Sequence, residues 1–464
     1  MTPEQIKLAL EAQIGKDRVR LDGEALDIYG RDWTKIHSPN PRAIAFPRTT
    51  EDVQKIVQFA NENQVSIVPS GGRTGLSAGA VASNNELVIV MDYMNKVVDF
   101  NPIDRSVTVQ GGMITEQLQA FAEEQGLYYP VDFASAGSSQ IGGNISTNAG
   151  GIKVIKYGMT RDWVLGLTVV TGKGEILNLN KGLIKNNTGY DLRHLFIGAE
   201  GTLGIITEAT IKLTRTPKDL TVMVLGVPSM PAVMEVLKTF QNSLDLTAFE
   251  FFSENALAKV TAHHQLQRPF ATATPYYALL EFEAENEGVM DSAMELFEEC
   301  MENGWVEDGV ISQNETQLQN LWSLREFISE TISHETPYKN DLSVIVSKVP
   351  EFLQAVDSFV EETYPGFEIV WFGHIGDGNL HLNILKPKDM DQTEFFEKCH
   401  QVSAKVFTIT QAFGGSVSAE HGVGLVKKDF LHFSRSPEEI LYMKAIKNAF
   451  DPNKIMNPGK MLDS

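Results

Sequence analysis

The chain has 464 residues, with 39 lysines and arginines against 60 acidic residues and a formal net charge of −21. Apolar residues make up 42% and charged residues 21%, ordinary globular usage that excludes a disordered, collagenous or coiled-coil protein and suits two or three domains. A surface this negative repels phosphate backbones, which argues against nucleic acid as a partner. The first twenty residues carry charges throughout and lack the unbroken apolar core of a secretory signal. No run of about 18 uncharged apolar residues predicts a membrane-spanning helix. Two cysteines, Cys300 and Cys399, are too few and too far apart for a disulfide framework, so a cytoplasmic protein is expected.

Residues 4–14 have helical spacing in Ile6, Leu8, Leu10 and Ile14, and read as an appendage before a Pro/Asn/Ser loop at Ser38–Arg42. From Ala43 short β-like runs follow one another between glycines: AIAFP, SIVP, ELVIV, SVTVQ, LTVVT, EILNL and GIITEATIKL. One helix is expected among them, over Thr50–Asn63, with Val53, Ile56, Val57 and Ala60 on one face. Near Thr214–Lys218 the character changes. The strand LTVMVLGVP, a helix over Ser229–Asn242, the strand YYALLEFEAE and a helix over Val289–Asn303 predict a second, α+β domain. The last segment, Gly414–Ser464, combines a glycine-rich loop with a helix over Pro437–Phe450.

Three glycine-rich segments fall in the β-rich region: PSGGRTGLSAGA at 69–80, GSSQIGGNISTNAGG at 137–151 and GAEGTLGIIT at 198–207. Successive amides in such loops form anion-binding nests, and Arg73 adds a positive charge. Three such walls with small Ser, Thr and Asn donors suit a long cofactor lying against backbone; ordinary tight turns are the alternative. No G-x-G-x-x-G and no G-x-x-x-x-G-K-[ST] occurs, which disfavours a two-nucleotide Rossmann site and a P-loop hydrolase. Gly75–Gly79 spells G-x-S-x-G, but SAGAVASNNE reads as loop where a nucleophile elbow needs a helix.

The sharpest site is WFGHIGDGNLHLNIL, residues 371–385. Asp377-Gly378 is the dipeptide preferred in a two-residue type I′ hairpin, and that turn would oppose His374 to His381, with Asn383 on the same face. Opposed side chains lie about 5 Å apart at Cβ, so two imidazoles can reach one metal. Glu420 in SVSAEHGVG is the candidate carboxylate ligand, followed by His421; unrelated surface residues are the alternative. A divalent metal chelates a 2-hydroxy acid through hydroxyl and carboxylate, and a neighbouring histidine then takes the hydroxyl proton as hydride leaves carbon. With no nicotinamide fold evident, the glycine-walled domain would supply a flavin.

At these motifs the chain resembles the FAD-linked oxidoreductases of the vanillyl-alcohol oxidase type and, within them, the D-2-hydroxyglutarate and D-lactate dehydrogenases. The resemblance is carried by PSGGRTGLSAGA, IGGNISTNAGG, KNNTGYDLRHLFIGAEGTLGIIT, WSLRE, GHIGDGNLHLN, SAEHGVG and DPNKIMNPGKML, in the family's order from about residue 43 to 461. It implies an α+β fold with a two-part FAD-binding domain of that type and an α+β substrate-cap domain. The expected division is an N-terminal helical extension at 1–39, an FAD-binding domain at 40–216, a cap domain with the metal hairpin at 217–413, and a return to the FAD domain at 414–464.

The resemblance also implies site residues. Ser70, Gly71, Gly72, Arg73, Thr74, Gly75 and Leu76 would lie along the diphosphate, and Ser138, Gly142, Asn144, Thr147, Glu200, Ile205 and Asn457 along the rest of the cofactor or its approach. Arg73 stands where covalently flavinylated relatives carry histidine, which implies noncovalent FAD. His374, His381 and Glu420 match the ligands of a divalent metal, usually zinc, and His421 the catalytic base. Arg325, Ser329, Lys339 and Asn383 match substrate contacts, arginine suiting a second carboxylate because its fork binds bidentately. The implied reaction is oxidation of D-2-hydroxyglutarate to 2-oxoglutarate, with D-lactate or glycolate oxidation as the near alternative. A metal-dependent hydrolase and a non-enzymatic binding module are distant ones. Electrons would leave to a separate acceptor, an electron-transfer flavoprotein or quinone, and a homodimer stays open.

Overall fold

Thr2 caps the first helix, Pro3–Ile14, by accepting the N–H of Gln5, and the Gln5 side chain accepts the N–H of Thr2. This reciprocal box fixes the helix start. The computed structural model in which it is seen describes every residue except Lys35, Ile36 and Ser464. Ile6, Leu10 and Ile14 are buried against Val53, Ile56, Val57 and Ala60 of the helix Thr50–Asn63. The segment read as an appendage is therefore part of a core. Its buried stripe repeats every four residues, and Leu8, off that stripe, is 76% exposed.

The chain divides into two units: Met1–Gly150, Gly158–Thr216 and Glu420–Ser464 form the first, Gly151–Tyr157 and Pro217–Ala419 the second. In the first unit, strands Ala43–Ala45 and Ile67–Ser70 run parallel to Leu87–Val90 between them, and Val19–Arg20 closes one edge antiparallel. Helix Thr50–Asn63 makes the crossover that parallel neighbours require. A second, antiparallel sheet has the order Val97–Asn101, Ser106–Gln110, Gly204–Lys212, Val164–Thr171, Ile176–Leu179.

The second unit is built on a seven-stranded antiparallel sheet ordered Asp308–Ile311, Leu220–Val227, Tyr276–Glu283, Leu246–Ser253, Glu368–Gly373, Asn379–Leu385, Pro337–Ser343. Its inner strands are buried along nearly their whole length because helices cover both faces. Helices Glu254–His264, Glu315–Glu326 and Ile328–Ser333 pack one face, where Phe252, Tyr277, Trp322, Ile328 and Phe372 share a core. Helix Met230–Gln241 packs the other, joined by Val349–Thr363. The short segment Gly151–Tyr157 belongs here because Lys153 and Lys156 form ion pairs with Glu281 and Glu283 of the sheet.

The hairpin differs from its expected register. Phe372, not His374, pairs with His381, and the connection is the five-residue loop 374–378. Gly378 has φ +84°, but Asp377 is not in the left-handed region, so the two positive φ values of a type I′ turn are not met. Instead the carbonyl of His374 accepts the N–H groups of Asp377 and Asn379 at 3.1 and 3.3 Å. Among the described residues no helix is long and apolar enough to cross a membrane.

Candidate active site

In the first unit the glycine-rich segments converge because their backbones touch. A Cβ on Gly72 would lie 2.2 Å from the Ser138 carbonyl oxygen, so only glycine lets the first loop rest on the second. Gly201, at φ +70°, brings the third segment to 2.5 Å from Pro69 by the same measure. Asn457 ties the C-terminal segment in: its amide N–H donates to Ile67 at 2.7 Å, and Nδ2 donates to the carbonyls of Gly79 and Glu200 at 2.9 and 2.7 Å. Ser70 Oγ, Gln140 Oε1 and Asn457 Oδ1 are buried without a hydrogen-bond partner among the described residues. Unmet polar atoms along a wall of small residues fit a cofactor as rich in polar atoms as FAD.

The other residues expected along the cofactor take several roles. Gly71, Gly72, Arg73 and Thr74 are half-buried, and Gly75 and Leu76 are exposed. Arg73 adds less charge than expected, because its guanidinium bonds Asp92 at 3.2 and 3.3 Å and lies over the Tyr29 ring. Gly142, Asn144 and Thr147 sit on helix Ile141–Thr147, where Asn144 Nδ2 donates to Thr115 Oγ1 at 2.6 Å and the Thr147 hydroxyl to the Gly143 carbonyl at 3.2 Å. Ser138 is exposed and Ile205 buried.

Glu200 also reaches the C-terminal glycine-rich loop. Its two carboxylate oxygens accept the N–H groups of Val423 and Gly424, each at 2.7 Å, so the carboxylate holds the SAEHGVG loop. Burial pushes this carboxyl above the usual range, against the downward pull of the two N–H groups. On that loop Glu420 Oε1 stands 3.6 Å from His421 Nε2.

In the second unit the register lines up Phe252, Phe372, His381 and Asp341 across four strands, and Val370, Asn383 and Lys339 across three. The two-residue period of a strand puts them, with Glu250, on the face covered by Glu315–Glu326 and Ile328–Ser333. Arg325, 6% exposed, lies 4.7 Å above the Phe372 ring centroid, and its Nη2 is 2.8 Å from Glu250 Oε2. Glu250 Oε1 is 2.7 Å from His374 Nδ1. The His374 and His381 ring centroids are 5.5 Å apart, so the two imidazoles meet although the register differs. Lys339 Nζ donates to Ser329 Oγ at 2.9 Å, and Asn383 Nδ2 to the carbonyls of Val370 and His381 at 3.2 and 3.1 Å. All six residues expected at this end of the site, Arg325, Ser329, Lys339, His374, His381 and Asn383, thus share one neighbourhood.

Two acids were missed from the sequence. Asp341, 1% exposed, offers an oxygen within 4.8 Å of a His381 ring nitrogen, and Glu250 is fully buried. Glu250 did leave a signal, as the one charged residue of the strand LTAFEFFS. Asp341 left none, because its place opposite His381 depends on strand register. Imidazole nitrogens and carboxylate oxygens suit zinc or manganese as donors; the second unit offers such a pair in His381 with Asp341, and the first unit offers one in His421 with Glu420. A cavity of about 1070 Å³ between helices Met230–Gln241 and Val349–Thr363 contains none of these residues.

Residues 216–461 match the family described as FAD linked oxidases, C-terminal domain, and residues 41–180 match the FAD binding domain. D-2-hydroxyglutarate dehydrogenase of Stutzerimonas stutzeri (strain A1501) is 63% identical over 452 residues, 97% of each chain. The protein of that name from Xanthomonas citri pv. viticola is 53% identical over 98% of this chain and 97% of its own. The solved structure of 4-ethylphenol oxidase from Gulosibacter chungangensis, in its isoeugenol complex, is similar in fold, with a TM-score of 0.76 at 16% identity over 99% of this chain and 96% of that one. The chain belongs to the FAD-linked oxidoreductases of the vanillyl-alcohol oxidase type, in the D-2-hydroxyglutarate and D-lactate dehydrogenase family.

Proposed function

We propose that this protein oxidises D-2-hydroxyglutarate to 2-oxoglutarate, using noncovalent FAD and a divalent metal, zinc by its donor set. The observation that carries the reading is the buried Arg325 guanidinium beside the His374–His381 pair, a cation placed for the second carboxylate of a dicarboxylate substrate. The names of the near-full-length relatives support the same substrate. When bound, FAD supplies the hydride acceptor and the metal a Lewis acid that lowers the substrate hydroxyl pKa.

The chain's own residues do the rest. His374, His381 and Glu420 hold the metal. Arg325 and Lys339, with Ser329 and Asn383, hold and orient the substrate. His421 takes the hydroxyl proton on its imidazole as hydride leaves C2. The loop Ser70–Leu76, with Ser138, Gly142, Asn144, Thr147, Ile205 and Asn457, holds the cofactor, while Glu200 fixes the loop that carries His421. Electrons then pass to a separate carrier, an electron-transfer flavoprotein or quinone.

The test is the visible spectrum of the purified protein under anaerobic conditions, before and after D-2-hydroxyglutarate and, separately, D-lactate. The reading expects a flavin band bleached preferentially by hydroxyglutarate. Bleaching only by lactate moves the chain to the monocarboxylate branch of the family, and a protein that takes up no flavin overturns the reading.

A further inference from the structure

Glu250 is fully buried on a strand whose other side chains are uncharged, yet both of its oxygens are engaged by groups of the proposed site. One faces His374 Nδ1 at 2.7 Å, the other Arg325 Nη2 at 2.8 Å. We infer that Glu250 is a positioning residue, a single carboxylate that orients the metal-facing histidine and the carboxylate-binding arginine together. The inference rests on the function proposed above.

Three physical points support it. A carboxylate beside Nδ1 keeps the ring proton there and puts the lone pair on Nε2, the arrangement that metal-ligating histidines draw from an outer carboxylate. The same carboxylate stands in ion-pair contact with the guanidinium beside Phe372, while Arg325 Nε and Nη2, both buried, make no hydrogen bond among the described residues and remain as donors for an anion. Stability alone does not account for the group, since a buried ion pair is often no more stabilising than apolar residues of the same volume, and Phe252 and Ala248 on the same face are apolar. One carboxylate therefore couples two ends of the site that would otherwise be set independently.

The test compares Glu250→Gln with His374→Ala and the parent, all full-length and FAD-loaded. Each is stripped of metal by chelation and titrated with zinc chloride in a calorimeter, and kinetics are measured with D-2-hydroxyglutarate and D-lactate. E250Q is expected to bind zinc about 10- to 100-fold more weakly, as outer-shell changes typically do. Its kcat/KM should fall further for the dicarboxylate than for D-lactate, because only the dicarboxylate uses Arg325. Zinc affinity equal to the parent in E250Q, with affinity lost in H374A, overturns the inference and leaves the proposed function standing. Parent-like affinity in H374A overturns the metal assignment and the inference with it. Should E250Q not fold, Glu250→Asp, which keeps the charge and shortens the reach, is judged by the same zinc titration: weakened binding supports the inference and parent-like binding overturns it.

Discussion

Glu200 accepts the backbone N–H of Gly424 at 2.7 Å and, through its other oxygen, that of Val423. A carboxylate from the third glycine-rich segment thereby clamps the loop bearing Glu420 and His421. Hydrogen bonds to a charged group contribute about 1.5–3 kcal/mol each. Glu200→Ala should accordingly free this loop, seen as faster amide hydrogen exchange at residues 420–425, and slow substrate-driven flavin reduction at least tenfold. Unchanged exchange in that stretch would show that the clamp does not hold the loop.

His421→Ala should remove the base while leaving the cofactor cradle intact. Loss of a positioned base costs about 10²–10⁴-fold in rate. Rapid-mixing measurement of flavin reduction should show that loss with FAD still bound at parent stoichiometry. Reduction at the parent rate would take His421 out of the mechanism.

Arg325→Met replaces a guanidinium with an apolar side chain of similar length. About 1.5–3 kcal/mol for each lost charged hydrogen bond corresponds to a KM for D-2-hydroxyglutarate raised roughly 10- to 150-fold. D-lactate, which has no second carboxylate, should change far less. Equal loss for both substrates would place Arg325 outside substrate recognition.

How much of this was legible in the sequence depends on how local each cause is. The helix Thr50–Asn63 was, because its apolar period and its cap at Thr49 lie within one segment. The glycine-rich walls were legible too, since close backbone approach leaves glycines in the text. The burial of helix Pro3–Ile14 was not, because the surface that covers it is built from residues 40 to 50 positions away. The hairpin register failed for a different reason. Asp377-Gly378 favours a tight turn, but the chain around it opens into a five-residue loop that still brings His374 to His381. Asp341 and the clamp at Glu200 depend on tertiary pairing alone.

Asp377 gives a pH-dependent prediction. Burial pushes its carboxyl up to about 6 from 3.8, against a smaller pull from His374. The folded state therefore holds this proton more tightly than the unfolded state. Its contribution to stability is full below pH 3.8 and is lost as pH rises through about 6. Asp377→Asn removes the ionisation and should be more stable relative to the parent at pH 7 than at pH 4, by at most about 3 kcal/mol. Calorimetric Tm values at the two pH values check this; a constant gap between variant and parent would mean that Asp377 titrates normally.

Metal removal tests the proposed metal apart from the flavin. Chelation should abolish substrate-driven bleaching while the flavin absorbance persists, and added zinc should restore it. Full bleaching in metal-free protein would contradict the metal's role.

The most direct test of the central claim is single-turnover flavin reduction with D-2-hydroxyglutarate carrying protium or deuterium at C2, with 2-oxoglutarate measured in the same sample. Hydride transfer predicts one 2-oxoglutarate formed per FAD reduced and slower bleaching with the deuterated substrate. Consumption of hydroxyglutarate with the flavin left oxidised, or no consumption by the fully FAD- and zinc-loaded protein, would contradict it.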